Sequence, residues 1–239
     1  MNTRRIRALG RAELTLLLRN RTALFGAVVL PLGLVGGVAG ALPDRRVLIS
    51  STLGFVLLAA VYYNLVTAYV ARREELVLKR LRIGELADGE ILAGVAAPSI
   101  AIALGQSVLA LVAGAVLFRL PVPSIPLLLL GLLGGVVVFV LLAAVSAAFT
   151  RTTELAQVTT LPVMFGCFIG SGLLLPAGAV PDSVAPYLRA LPLSPVLELI
   201  TLSWTGGVRA AVTPALIMLA WVVAGAFAAR RWFRWEPRR

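Results

Sequence analysis

"REELVLKRLRIGELADGEILAG", residues 73–94, interrupts a chain made mostly of Leu, Val, Ala and Gly. Seven charged side chains lie between Arg72 and Arg82. On an insertion scale each costs roughly 3 kcal/mol at a bilayer centre, so burying the block would cost about 20 kcal/mol. The block is therefore expected in water, between two segments that avoid it. Read as a helix, Val77, Leu78 and Leu81 form an apolar stripe, and Glu75 pairs with Lys79 at i,i+4 in the favoured orientation. Gly84 suits a helix stop, and Asp88 suits the N-cap of the apolar segment that follows. The bland alternative is a solvated turn whose cations only set topology. A turn needs few residues, however, and this stretch uses about twenty while ordering its apolar positions.

The rest of the chain makes the contrast meaningful. Of 239 residues, 59% are hydrophobic and 14% charged, and the mean hydropathy is +0.96. Globular domains carry about a quarter charged residues, so this composition belongs to an integral membrane protein. The net charge of +11 does not argue for nucleic acid, because the cations flank apolar runs rather than cover a water-exposed face. The single cysteine, Cys167, lies inside an apolar run and excludes an intrachain disulfide or thiolate metal cage. Histidine is absent, which removes Ser-His and Cys-His nucleophile pairs and His-ligated zinc.

A helix needs about 20 apolar residues to cross about 30 Å of hydrocarbon. Five runs qualify: 22–42, 47–70, 91–118, 126–149 and 155–175. A shorter sixth, 213–229, has Pro214 in a position suited to a first helical turn and is followed by the interfacial residues Trp232 and Trp235. With the N-terminus inside, 17 Lys and Arg fall on cytoplasmic segments, while only Arg45, Arg46, Arg119, Arg189 and Arg209 fall outside. That asymmetry puts both termini in the cytoplasm, and with them the loop 71–90 and the tail 230–239. Ala39-Gly40-Ala41 resembles a signal-peptide cleavage site, but the preceding apolar run exceeds the usual 7 to 15 residues, favouring an uncleaved first span. In residues 1–21, Arg4, Arg7 and Arg11 share one helical face and Ile6, Leu9, Leu16 and Leu17 the other, as in a helix lying along the membrane surface; Glu13, Leu14 and Leu18 break the pattern.

Residues 176–212 contain five prolines, Pro176, Pro181, Pro186, Pro192 and Pro195, and are too broken for a span yet too apolar for an ordinary loop. Helices dipping part-way into the outer leaflet fit, as does a compact extracellular cap. Inside the spans, Tyr62, Tyr63, Asn64 and Thr67, with Gln106 and Ser107, are the conspicuous polar groups. Interhelix bonding is their ordinary role; a path for an amphipathic substrate is the alternative. Gly33 with Gly37, Gly36 with Gly40, Gly131 with Gly135, and Gly166 with Gly170 have the spacing that allows close helix approach, within one subunit or at a dimer seam. Pro31, Pro98 and Pro162 are expected to kink their spans or free a carbonyl.

"REELVLKRLR" followed by "ILAG", and "SGLLLPAGAVPDSVAPYLRALPLSP" near the C-terminus, resemble the permease subunits of ABC-2 type exporters, the group that includes daunorubicin-resistance-like drug and lipid exporters. The likeness covers most of the chain. Leu76-Val77 and Gly84-Glu85 depart from the Gly-Thr or Gly-Val and the Thr-Pro that many relatives carry around the "LKRLR" core. The resemblance implies an all-α integral membrane fold of the type V exporter kind. It has six transmembrane helices, an N-terminal interfacial amphipathic helix, a cytoplasmic coupling helix between the second and third spans, and an extracellular re-entrant element between the fifth and sixth. It also implies that Glu75, Val77, Leu78, Lys79, Arg80, Leu81 and Arg82 form the contact with a separate ATPase subunit, with 150–154 a minor contact. ATP and Mg would be bound by that partner, and two permease copies, identical or mixed, would stand above two ATPases.

The chain itself lacks a phosphate-binding loop: its only lysine, Lys79, follows Leu78 on an expected helix rather than a Gly-rich turn. No cofactor or metal is expected in it. A membrane-embedded lipid enzyme is opposed by the missing histidine and by the lack of clustered carboxylates. A proton-driven secondary transporter is opposed by the absence of acidic residues deep in a span.

Overall fold

The computed structural model describes residues 33, 44–74, 88–171, 181 and 183–233, and the described residues contain helices but no strand. In chain order they form α1 (Arg45–Val56), a π-helical segment (Leu57–Tyr63), α2 (Asn64–Glu74), α3 (Asp88–Phe118) and α4 (Ile125–Phe149). These are followed by α5 (Thr153–Thr159), α6 (Leu161–Gly170), α7 (Ala185–Arg189), α8 (Leu193–Thr205) and α9 (Val208–Trp232). Among the described residues, four helices are long and apolar enough to cross a bilayer: Arg45–Glu74, which joins α1, the π segment and α2, then Leu92–Phe118, Ile125–Phe149 and Val208–Trp232. The expected span at 22–42 and the surface helix at 1–21 lie outside the described residues, apart from Gly33.

The run expected as one span at 155–175 appears as two helices, α5 and α6. The backbone bonds Thr160 N to Ala156 O (3.2 Å) and Met164 N to Thr160 O (3.0 Å) carry helical geometry across the junction. Pro162 has no N–H to offer the carbonyl four residues back, and its ring crowds that turn, so the break falls there. The last helix begins earlier than its apolar run suggests. Gly206 (φ +79°) and Gly207 (φ +111°) occupy backbone conformations that side chains oppose, and they let the chain reverse from α8 and start α9 at Val208. Pro214 consequently sits inside α9 rather than in its first turn.

The Arg45–Glu74 helix is the centre of the bundle. Leu48, Leu53, Leu57, Leu58, Val61 and Leu65 along it are all 1% exposed or less. α3 packs on one side of it, α4 and α8 on the other, and α9 covers α4. On the outer helices the apolar residues face outwards. Val108, Val112 and Val116 on α3, and Leu216, Leu219, Val223 and Phe227 on α9, are exposed at helical spacing. A stripe of that size is lipid-facing in a protein of this composition.

Glycines admit the closest approach. A methyl at Gly131 would lie 2.9 Å from Ile200 Cγ1, and one at Gly135 would lie 2.8 Å from Val196 Cγ1 and from Leu57 Cδ1. The four-residue pair on α4 is therefore the groove that holds α8, packing within one subunit. The pair on α6 divides: Gly170 lies against Leu191 and Leu188, whereas Gly166 faces nothing within 4 Å.

α8 has 13 residues, about 20 Å of helix and too short to cross. Its C-terminal end is level with the start of α4, through Ser124 N to Ser203 O at 2.6 Å and Trp204 Nε1 to Pro121 O at 3.0 Å. Its N-terminal half reaches Gly54 and Gly135 in the body of the bundle. Val196, Leu199, Ile200 and Ser203 face the core, while Glu198 and Thr205 are exposed. Thr201 Oγ1 donates to Ser50 Oγ (2.9 Å), fixing α8 to α1.

Candidate functional site

At the end of the central helix the chain enters the charged loop. α2 continues to Glu74, and residues 75–87 lie outside the described residues. The candidate coupling residues Glu75, Val77, Leu78, Lys79, Arg80, Leu81 and Arg82 are therefore among those not described. What the structure does place is the root of the loop, and it corrects one expectation. The charge block was expected wholly in water, yet Arg73 is 5% exposed.

Protein groups replace the water at Arg73. Nη1 donates to Ala147 O at 2.9 Å, and Nη2 donates to Thr150 O. These carbonyls belong to the C-terminal end of α4, where the last turn has no intrahelical donors and the helix dipole leaves about half a negative charge. A guanidinium there satisfies both deficits. The next residue grips the other side of the same turn. The exposed Glu74 carboxylate accepts from Thr153 N through Oε1 at 3.1 Å and from Thr153 Oγ1 through Oε2. An acid at the N-terminus of α5 is favoured by the opposite end of a helix dipole.

The turn is tied internally as well. Thr150 Oγ1 bonds to Ser146 O and to Thr159 Oγ1, each at 2.8 Å, and Thr152 Oγ1 caps α5 by accepting from Leu155 N at 3.3 Å. Two aromatic pairs close this end of the bundle, Phe149 with Trp232 (centroids 5.9 Å apart) and Tyr69 with Phe233 (6.1 Å). The ends of α2, α4 and α9 and the start of α5 thus form one surface at the mouth of the charged loop. Sequence reasoning missed Arg73 and Glu74 as bonded residues, because an Arg-Arg-Glu run reads as solvated until its carbonyl partners are brought beside it.

The six polar residues of the second and third spans separate into two groups. Tyr62 is fully buried, its hydroxyl 2.9 Å from Ser146 Oγ and its ring against Phe139. Ser107 is also buried and bonds back to Ala103 O at 2.7 Å. Both serve packing within the chain. Tyr63 is half-buried and Asn64 exposed, while Thr67, half-buried, donates to Tyr63 O at 3.1 Å. Gln106 is half-buried on α3. Tyr62 and Asn64 are two residues apart, about 200° around a helix, and so turn to opposite faces.

Long apolar helices, lipid-facing outer faces and a polar end anchored on helix termini define a multi-pass membrane protein. The chain belongs to the ABC-2 type transporter family, whose model matches residues 4–203. It is thus the permease component of an ABC transporter, without an ATPase site of its own, and permeases of this family normally work with an ABC ATPase. A comparison with curated proteins finds no match.

Proposed function

We propose that the chain is the permease of a daunorubicin-resistance-like exporter that moves an amphipathic drug-like or lipid-like molecule outward, powered by a separate ABC ATPase docked on the loop 71–90. In this reading six helices span the membrane, both termini are cytoplasmic and two permeases form the working dimer. The partner binds ATP and Mg. α7 and α8 form the re-entrant element, a reading supported by an α8 too short to cross that enters from the end opposite the charged loop.

The observation that carries the reading is the anchoring of the charged loop. Arg73 and Glu74 are bonded to the turn between α4 and α5, so the root of the charged loop adjoins that turn, at the end where a cytoplasmic partner would meet it. Within the loop, Val77, Leu78 and Leu81 bury apolar surface on the ATPase, and Glu75, Lys79, Arg80 and Arg82 orient it. Buried apolar anchors govern affinity, whereas rim charges mainly govern encounter rate and salt sensitivity. The flank of the second span that carries Tyr63, Asn64 and Thr67, half-buried to exposed, lines the substrate path.

Replacing one anchor tests this. Leu78→Asp should weaken co-purification of the ATPase and abolish substrate-stimulated hydrolysis while the permease still inserts. Arg80→Ala should be milder and more salt-dependent. Normal co-purification and parental transport by Leu78→Asp would remove the loop from the interface.

A further inference from the structure

We propose that Arg73 and Glu74 are positioning residues that carry the motion of the charged loop into α4 and α5, acting as a clamp that can pull as well as push. The proposal rests on the reading of 71–90 as the ATPase-docking loop.

α2 is helical through Glu74, so a displacement delivered at residue 75 moves the two preceding residues with it. Their side chains hold three points on the neighbouring turn. Arg73 takes Ala147 O and Thr150 O, and Glu74 takes the backbone and hydroxyl of Thr153. A guanidinium fork is planar, so two bonds to different carbonyls fix orientation as well as distance. Arg73 is buried, and in low dielectric these bonds are stronger than they would be in water.

Side-chain packing resists approach but offers little against separation. Hydrogen bonds to a charged group resist separation, so the clamp transmits both strokes of a reversible cycle. The alternative route through the chain itself is soft. Between α4 and α5 lie only Thr150, Arg151 and Thr152, with Thr150 and Thr152 in extended conformation. Without the clamp, the second span would be coupled to α4 by side-chain packing and the Tyr62 to Ser146 bond alone. With it, α4 moves with α2, and α4 runs to the far end of the bundle beside α8 and α9. α5 follows through the Thr150 to Thr159 hydroxyl bond and leads into α6.

Hydrogen–deuterium exchange of the permease bound to its ABC ATPase in nanodiscs, with and without Mg-ADP-vanadate, tests the proposal. In the parent, exchange in 71–90 and in 150–160 should change together when nucleotide is trapped. Arg73→Gln and Glu74→Ala should keep the ATPase bound and the 71–90 response intact, lose the 150–160 response, and hydrolyse ATP without transport. Arg73→Lys, which retains the charge and donor capacity but not the planar fork, should restore part of the response. A merely structural role would instead cost assembly. Glu74→Ala removes an exposed side chain, so failure of that variant to assemble would overturn the proposal. A parental 150–160 response in both variants would overturn it too, as would a parent in which only 71–90 responds. A parent whose 71–90 segment ignores nucleotide would refute the docking reading, and the clamp with it.

Discussion

Substituting Gly135 by alanine adds one methyl at a point of α4 that is crowded from two sides. That methyl would lie 2.8 Å from both Leu57 Cδ1 and Val196 Cγ1, against about 3.5–4.0 Å for an unstrained carbon contact. Both neighbours are fully buried, they press from different helices, and Val196 is stiff at χ1. Overpacking of this kind costs roughly 1–3 kcal/mol, offset by about 0.5–1 kcal/mol from the loss of glycine in a helix. The net expectation is about 1–2 kcal/mol of destabilisation. Gly166→Ala is the control, because nothing lies within 4 Å of the added methyl and only the gain of about 0.5–1 kcal/mol remains. The two variants should therefore differ by about 2 kcal/mol, roughly thirtyfold in the folded-to-unfolded ratio. Reversible SDS titration in mixed micelles, followed by tryptophan fluorescence, measures the difference. If Gly135→Ala proves as stable as Gly166→Ala, α8 is not seated in the α4 groove as described.

Two further outcomes are expected. Tyr62→Phe deletes the bond to Ser146 and should cost about 0.6–1.7 kcal/mol in the same titration, whereas Asn64→Leu, at an exposed position, should leave stability near parental and alter substrate selectivity in a vesicle transport assay; the reverse pattern would exchange their roles. Single cysteines replacing Asp44 or Arg239, in a background without Cys167, should be labelled by a membrane-impermeant thiol reagent on intact cells at position 44 only, and labelling at 239 would refute an even number of spans.

The helical class and the long central spans were legible because hydropathy is a local property that survives averaging along the chain. Boundaries set by single residues were less so. Pro162 was recognised as a site of disruption, but 208–212 was missed as helix because Arg209 interrupts the apolar run, while the start is set by the Gly206-Gly207 turn. The Gly131 and Gly135 pair announced a close approach without saying which helix makes it. The clamp was invisible for a different reason. Its acceptors are backbone carbonyls at Ala147 and Thr150, over seventy residues from Arg73, and any sequence supplies carbonyls.

The π segment at Leu57–Tyr63 has a consequence for how this chain can vary in length. A π turn arises when a helix accommodates a residue more than its flanking turns require. Before it, α1 is keyed to α8 through Ser50 and Gly54; after it, α2 is keyed to α4 through Arg73. A straight α-helix advances about 100° per residue, so a deletion elsewhere in the span would rotate one keyed half out of register with the other. Within Leu57–Tyr63 the same deletion would only tighten the widened turn. The second span holds a residue of slack between two fixed ends, and an insertion or deletion in this otherwise unforgiving helix has its natural place there.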